Sequence, residues 1–490
     1  MLSALMTAQL IRQNKISLTE LLADTEAKIK SLNPQLNAVT YTRFAAARQE
    51  AMHLSDTGQP FFGVPLLLKG LGQNLKGTPN TMGSKLLAHQ IAAQTDHFVR
   101  RLQALGFIIV GQTNTPEFGF KNITDPRLYG PSHNPWQLGH TPGGSSGGAA
   151  SALASGMVPL VTGSDGGGSI RIPAAFSGLI GLKPTRGRVP VGPGEYRSWQ
   201  GAAINFALTT NIADTAALLQ GLQTLQAAAP FQTPLIPTAA FQNLTSTHTI
   251  KTIAYTTESP VGTPVSAVAQ TAVMQAVTFL RQQGFRVVEA QPELDGQALM
   301  RSYFTMNAGE TAAMIAALEK QHQRAVIAND IEPISWAIYQ AGRHTTAAEY
   351  SSALNLWDQA SQVMADFMSN YDLYLTPTTA WPAPEIKTPL QSPLLQTQIA
   401  HVQDLAPQEQ KNLIYDLFYE SLVYSPFTQL ANLTGQPAIS LPTALDDKAS
   451  LPLGIQFMAR KGAEIELLQI GRLFESQNQF HLLHPLNMSL

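Results

Sequence analysis

Residues 142–151 read Pro-Gly-Gly-Ser-Ser-Gly-Gly-Ala-Ala-Ser, and after a short apolar segment residues 162–173 read Thr-Gly-Ser-Asp-Gly-Gly-Gly-Ser-Ile-Arg-Ile-Pro. Nine glycines fall between Gly143 and Gly168. Glycine loses more backbone freedom on folding than any other residue, so such a cluster needs a reason. The usual reasons are positive φ or close approach of backbone to a ligand. A phosphate loop would end in Gly-Lys-Ser or Gly-Lys-Thr, and the chain has no Gly-Lys dipeptide. The dinucleotide pattern Gly-x-Gly-x-x-Gly is absent from the stretch. A flexible linker is the plain reading of Gly/Ser-rich sequence, but Ile170, Ile172, Pro173, Phe176 and Leu179 follow at once and read as buried. Gly143-Gly144-Ser145-Ser146-Gly147 fits the Gly-x-Ser-x-Gly elbow. That motif should follow a buried strand, and Asn134–Pro142 is not strand-like.

Outward from this stretch the chain reads as α/β. Phe62–Leu68 is a short apolar run ending in Lys69-Gly70. Asp96–Leu105 reads as a helix, Gly106 as its cap and Phe107–Val110 as a strand. Ala272–Gln283, Gly284 and Phe285–Glu289 repeat that order. Thr252–Tyr255, Leu373–Thr376, Ala438–Leu441 and Leu453–Phe457 are further strand candidates. Helices alternating with short apolar strands predict a twisted, mostly parallel mixed sheet covered by helices on both faces. We read residues 1–490 as one domain. Residues 1–60 form an N-terminal helical layer and 61–225 a catalytic core. Residues 226–250 are the best candidate for an exposed connection, and 251–490 supply the rest of the sheet with a helical cover. Ser17-Leu18-Thr19-Glu20 is a capping box, and Asn33-Pro34 reads as the end of its helix.

Composition removes whole function classes. Charged residues are 13% of 490, against a usual share of ~25%. Lys+Arg at 31 and Asp+Glu at 33 leave a net charge of −2. Without a basic excess to neutralise phosphates, nucleic acid is not an expected partner. No cysteine is present, which excludes disulfides, thiolate nucleophiles and cysteine zinc sites. Met1–Asn14 shows no signal-peptide pattern, and Phe61–Leu68 is too short to span a bilayer. These features suggest a cytoplasmic protein. His481-Leu482-Leu483-His484 has no nearby acid and reads as surface.

Gly-Gly-Ser-Ser-Gly-Gly at 143–148, Asp-Gly-Gly-Gly-Ser-Ile-Arg-Ile-Pro at 165–173 and Gly-Leu-Lys-Pro-Thr at 181–185 together resemble the amidase signature family. Gly-x-Pro-x-x-x-Lys at 63–69, Thr113–Phe118, Asn134-Pro135-Trp136, Asn432–Pro437 and Gly454–Phe457 extend the resemblance over nearly the whole chain. The resemblance implies the family's α/β fold and hydrolysis of a carboxamide through an acyl-serine, with no cofactor or metal. It implies a small-molecule amide as partner, no nucleic acid or membrane, and a monomer or homodimer. By motif, Ser169 would be the nucleophile, Ser145 the relay serine 24 residues earlier, and Lys69 the base. The relay serine follows a cis peptide in the family, so Gly144–Ser145 is expected to be cis. The N–H groups of Gly166, Gly167, Gly168 and Ser169 would form the oxyanion hole, with Ser146, Asp165 and Arg171 as support.

Physical chemistry supports these assignments. A serine hydroxyl needs a base, and no histidine lies in these motifs. Burial against an apolar strand end would lower a lysine pKa enough to make it one. The chain departs from the family where Gly166 replaces the usual Ile, Thr or Val, which implies a roomier floor, and where Gly70 replaces a frequent Asp. Phe118, Phe120, Phe176 and Trp381 are candidates for an apolar pocket, with core packing an equal account of each. Low charge points to neutral amides. Two rivals share the scaffold: the A subunit of a tRNA-dependent amidotransferase and an idle binding protein. Ile331-Glu332-Pro333 and Ala341-Gly342-Arg343 look like stand-alone amidases instead.

Overall fold

The computed structural model describes residues 2–446 and 450–485; Met1, 447–449 and 486–490, included in the 1–490 domain range, lie outside the described residues. Eleven strands among them form one sheet: β1 Val39–Thr42, β2 Pro65–Lys69, β3 Ile108–Thr113, β4 Val161–Asp165, β5 Ile180–Lys183, β6 Ile204–Thr209, β7 Thr252–Tyr255, β8 Arg286–Glu289, β9 Leu373–Pro377, β10 Ala438–Asp446 and β11 Leu451–Ala459. Their spatial order is β1-β3-β2-β4-β6-β5-β10-β11-β9-β7-β8. The sheet is mixed. β3-β2-β4 and β9-β7-β8 pair in parallel, whereas the run β4-β6-β5-β10-β11-β9 is antiparallel throughout. Every residue of β2, β3, β5, β9 and β11 is buried. Strands without a solvent face are covered on both sides, which explains their near-continuous apolar sequence.

The expected strands form, and four more join them. β1, β5 and β6 carry weak apolar signals, and β4 lies inside the glycine-rich stretch, where its Thr-Gly-Ser-Asp sequence reads as loop. The Ser17 capping box opens the helix Leu18–Leu36 as expected, but that helix runs past Pro34. A proline in the last turn removes only one helical hydrogen bond. Asn33 makes the turn instead, its Oδ1 accepting from the N–H groups of Ala38 and Val39 at 2.8 Å each. Asn37 closes the helix in a left-handed conformation.

Residues 300–420 are mainly helical. Helices Gly296–His322, Pro333–Gly342, Ala347–Asn370 and Pro407–Leu422 share an apolar core of their own, including Phe304, Ile338, Trp357 and Leu417. The first of them walls the cleft described below through Thr311 and Met314. Residues 226–250 form an irregular connection with one helical turn, Thr238–Phe241, and Phe231 from it reaches the same cleft. His481 and His484 are exposed.

Candidate active site

β2 delivers Lys69 to the middle of the molecule, where no part of it reaches solvent. Its backbone is pinned from two sides, the N–H donating to Gln73 Oε1 at 2.9 Å and Thr162 Oγ1 at 3.2 Å. Its Nζ donates to Ser145 Oγ at 2.7 Å, Ser164 Oγ at 2.9 Å and the Ser164 carbonyl at 3.3 Å. Burial lowers the pKa of this lysine to about 7, against the opposing pull of the Asp165 carboxylate. Gly70 beside it admits no side chain: a Cβ there would lie 2.8 Å from the Thr113 carbonyl oxygen of β3.

The Ser145 hydroxyl is aimed by its loop. The Gly144–Ser145 peptide is cis. A Cβ on Gly144 would lie 2.6 Å from both N and O of Ile123, so only glycine lets the two backbones meet. Ser146 ties the loop to the end of β4. Its N–H donates to the Ser169 carbonyl at 3.2 Å, and its Oγ donates to the Ser164 carbonyl at 3.3 Å. Ser145 and Ser169 both line one cleft of about 620 Å³. Their hydroxyls are not hydrogen-bonded to one another, whereas Lys69 and Ser145 are.

Asp165 and Arg171 are wholly buried, which excludes a surface ion pair. Asp165 Oδ2 accepts from Arg171 Nε and Oδ1 from Arg171 Nη2, both at 2.9 Å. Burial opposes the Asp165 charge, but the guanidinium and Asn432 overcome it and hold this carboxyl far below the usual carboxylate range. Arg171 also donates to Asn432 Oδ1 at 2.7 Å and to Gln456 Oε1 at 2.6 Å. Such a pair needs all its lone pairs and protons engaged to offset desolvation. Here the surrounding groups engage them, so the loop 165–171 is clamped to the C-terminal half of the chain.

The four expected oxyanion donors divide. Gly168 needs correction: its N–H donates to Asp165 Oδ1 at 2.7 Å and is spent on holding the loop. No hydrogen bond to the described chain occupies the N–H groups of Gly166, Gly167 and Ser169. The carbonyls of Gly166 and Gly167 are drawn away by Tyr303 Oη at 3.1 Å and Thr428 Oγ1 at 2.7 Å. The reading of Gly166 as a roomier floor also needs correction. A Cβ there would lie 2.7 Å from the Trp199 ring, so the indole occupies the space that a side chain at 166 would take.

Of the four candidate pocket aromatics, Phe118 and Phe120 line the cleft. Phe176 packs instead in a small core cluster with Ile172, Ala383 and Leu451. Trp381 lies outside the cleft lining, its Nε1 donating to the Pro264 carbonyl at 3.2 Å. Trp199, Tyr196 and Phe231 line the cleft and carried no motif signal. Gln73, which fixes Lys69, was equally silent, and Thr162 and Ser164, which also fix it, lie in the quoted stretch without a role assigned. Asn432 and Gln456 do lie within quoted motifs, and their clustering with Arg-x-Pro was the available signal.

Known proteins share this architecture. The family model described as Amidase matches residues 20–468. A lipoamidase of Enterococcus faecalis is 45% identical over 99% of this chain, which spans 65% of that relative's length. A 6-aminohexanoate-cyclic-dimer hydrolase of Paenarthrobacter ureafaciens is 33% identical over 96% of this chain and 93% of its own. A solved structure of 6-aminohexanoate cyclic dimer hydrolase superposes with a TM-score of 0.86 at 31% identity, over 97% of this chain and 96% of the other. With a family match across the glycine–serine loops, β2 and the C-terminal clamp alike, this chain belongs to the amidase family.

Proposed function

We propose that the chain hydrolyses a carboxamide C–N bond to a carboxylate and ammonia or an amine, through an acyl-serine. Ser169 Oγ attacks the carbonyl carbon and passes its proton to Ser145, as Ser145 passes its own to neutral Lys69. The developing oxyanion faces the N–H groups of Gly166, Gly167 and Ser169, placed before the reaction begins. Collapse of the adduct breaks the C–N bond, and protonated Lys69 returns a proton through Ser145 to the departing nitrogen. Water then attacks the acyl-serine through the same relay and frees the carboxylate. The relay requires Ser169 Oγ to come within hydrogen-bond reach of Ser145 Oγ, a contact that tightens when substrate is held.

One observation carries this reading: a fully buried lysine whose Nζ stands 2.7 Å from the Ser145 hydroxyl. A lysine without solvent and with a pKa near 7 is a base at neutral pH rather than a surface charge. The names of the relatives, a lipoamidase and a 6-aminohexanoate-cyclic-dimer hydrolase, support small-molecule amides as the substrate class. No described helix is long and apolar enough to cross a membrane. We place the reaction in the cytoplasm, which the cysteine-free composition suits. The test is ammonia release from primary aliphatic amides by wild type and Ser169→Ala, with a fluorophosphonate probe on both. Loss of the activated nucleophile costs several orders of magnitude in rate. A Ser169→Ala protein that keeps a substantial fraction of the rate, or still takes the label, would refute the assignment.

A further inference from the structure

Trp199 stands on the turn Ser198–Gly201, which connects the loop after β5 to β6. Trp199 (φ 46°, ψ 49°) and Gln200 (φ 53°, ψ 32°) are both left-handed, an arrangement non-glycine residues keep only where their surroundings over-determine it. The surroundings do so. Gln200 Nε2 donates to Glu310 Oε1 at 2.9 Å, and Tyr350 Oη holds the same carboxylate. The indole stacks on Phe120, with ring centroids 6.2 Å apart and planes 13° apart, and meets Tyr303 edge-on at 6.0 Å. Tyr303 in turn holds the Gly166 carbonyl. The ring therefore lies over Gly166, beside the N–H groups that face the reacting carbonyl, and lines the cleft together with Ser145 and Ser169. Leu71, Met82, Phe118 and Met314, all apolar, line the same cleft.

We propose that Trp199 is a specificity-determining residue: by narrowing the cleft beside the reacting carbonyl, it selects amides unbranched next to that carbonyl and extended into an apolar chain. This rests on the acyl-serine reading above. The glycine at 166 and the indole at 199 form one steric unit, in which the bulk missing from the first is supplied by the second from another loop.

The experiment compares kcat/KM for hexanamide and 2-ethylhexanamide, which differ only by a branch beside the carbonyl. Wild type should favour hexanamide. Trp199→Ala should cut that preference roughly tenfold or more, chiefly by gaining on the branched amide, as expected when a hydrophobic wall is removed. Gly166→Ala should lower turnover of both amides by forcing its methyl against the ring, and adding Trp199→Ala should restore part of it. Trp199→Phe keeps an aromatic packing partner with a smaller ring system and should lie between wild type and Trp199→Ala, so the ratio can be read even if the alanine variant folds poorly. An unchanged ratio in both Trp199 variants while hexanamide is still hydrolysed overturns this inference and leaves the chemistry standing. Equal activity of Gly166→Ala and wild type overturns it too. A wild-type protein that hydrolyses neither these nor other amides sinks the amidase reading, and the inference with it.

Discussion

Lys69→Met should make the protein more stable and inert. The fall of the Lys69 pKa from 10.5 to about 7 is caused by burial. At 1.36 kcal/mol for each pKa unit, it corresponds to about 5 kcal/mol of unfavourable free energy for the charged group. Between pH 7 and 10.5 the unfolded chain holds a proton at this site that the folded chain has released. Wild-type stability therefore rises with pH across that window; below pH 7 both states are protonated and the cost is felt in full. Methionine has similar volume and no charge, so it removes the cost at every pH. It leaves Ser145 Oγ and Ser164 Oγ without their lysine partner, a loss of about 1–3 kcal/mol. The net gain is a few kcal/mol at pH 6, shrinking to nothing or reversing by pH 10. Thermal midpoints of the two proteins at pH 6, 8 and 10, with amide turnover measured on the same samples, give the result. A stability difference that does not change with pH, or a Lys69→Met protein that still hydrolyses amides, would show that Lys69 is not a desolvated base.

Amide kcat/KM should climb with pH through about 7 and level off above it, because only neutral Lys69 accepts a proton; a limb that rises only near the ordinary lysine value would contradict the burial argument. Prolonged treatment with a chelator should leave the rate unchanged, as the relay uses side chains alone, and metal-restored inhibition would count against it. Arg171→Met leaves the buried Asp165 carboxylate uncompensated and should cost about 3–5 kcal/mol, read by denaturant unfolding. Gly168→Ala places a methyl 2.2 Å from Thr428 Oγ1 at φ 124° and should lower the thermal midpoint together with activity; a neutral outcome would mean that the loop is less constrained than its hydrogen bonds indicate.

The candidate catalytic residues were legible through a combination of motifs spread over the chain, since clustered glycines and serines alone also read as a linker or an elbow. What escaped the sequence shares a different physical basis. β4 hides in that stretch because glycine and serine are poor strand formers, and it is held by its neighbours β2 and β6 instead. Trp199, Tyr303 and Thr428 reach the site from separate segments, and no local pattern records a contact made across the fold. Gly166 shows the same limit. Its missing side chain reads as empty space along the chain, and only the fold reveals that another residue fills it. The helix passes Pro34 because a helix end can tolerate a lost hydrogen bond when a side chain such as Asn33 organises the turn.

The Arg171 clamp joins segments that leave the ribosome far apart in time. A nascent chain that has emerged past residue 171 already carries Lys69, Ser145 and Ser169, but neither Asn432 nor Gln456. Arg171 donates to Gln456 across 285 positions and to Asn432 across 261. β5, which follows the clamp directly, likewise waits for β10 as its partner on one side. Until those late segments arrive, the Asp165–Arg171 pair lacks Asn432 and Gln456, two of the groups that offset its burial. A fragment ending before residue 432 would thus hold Lys69, Ser145 and Ser169 but only part of the hydrogen-bond set around Arg171.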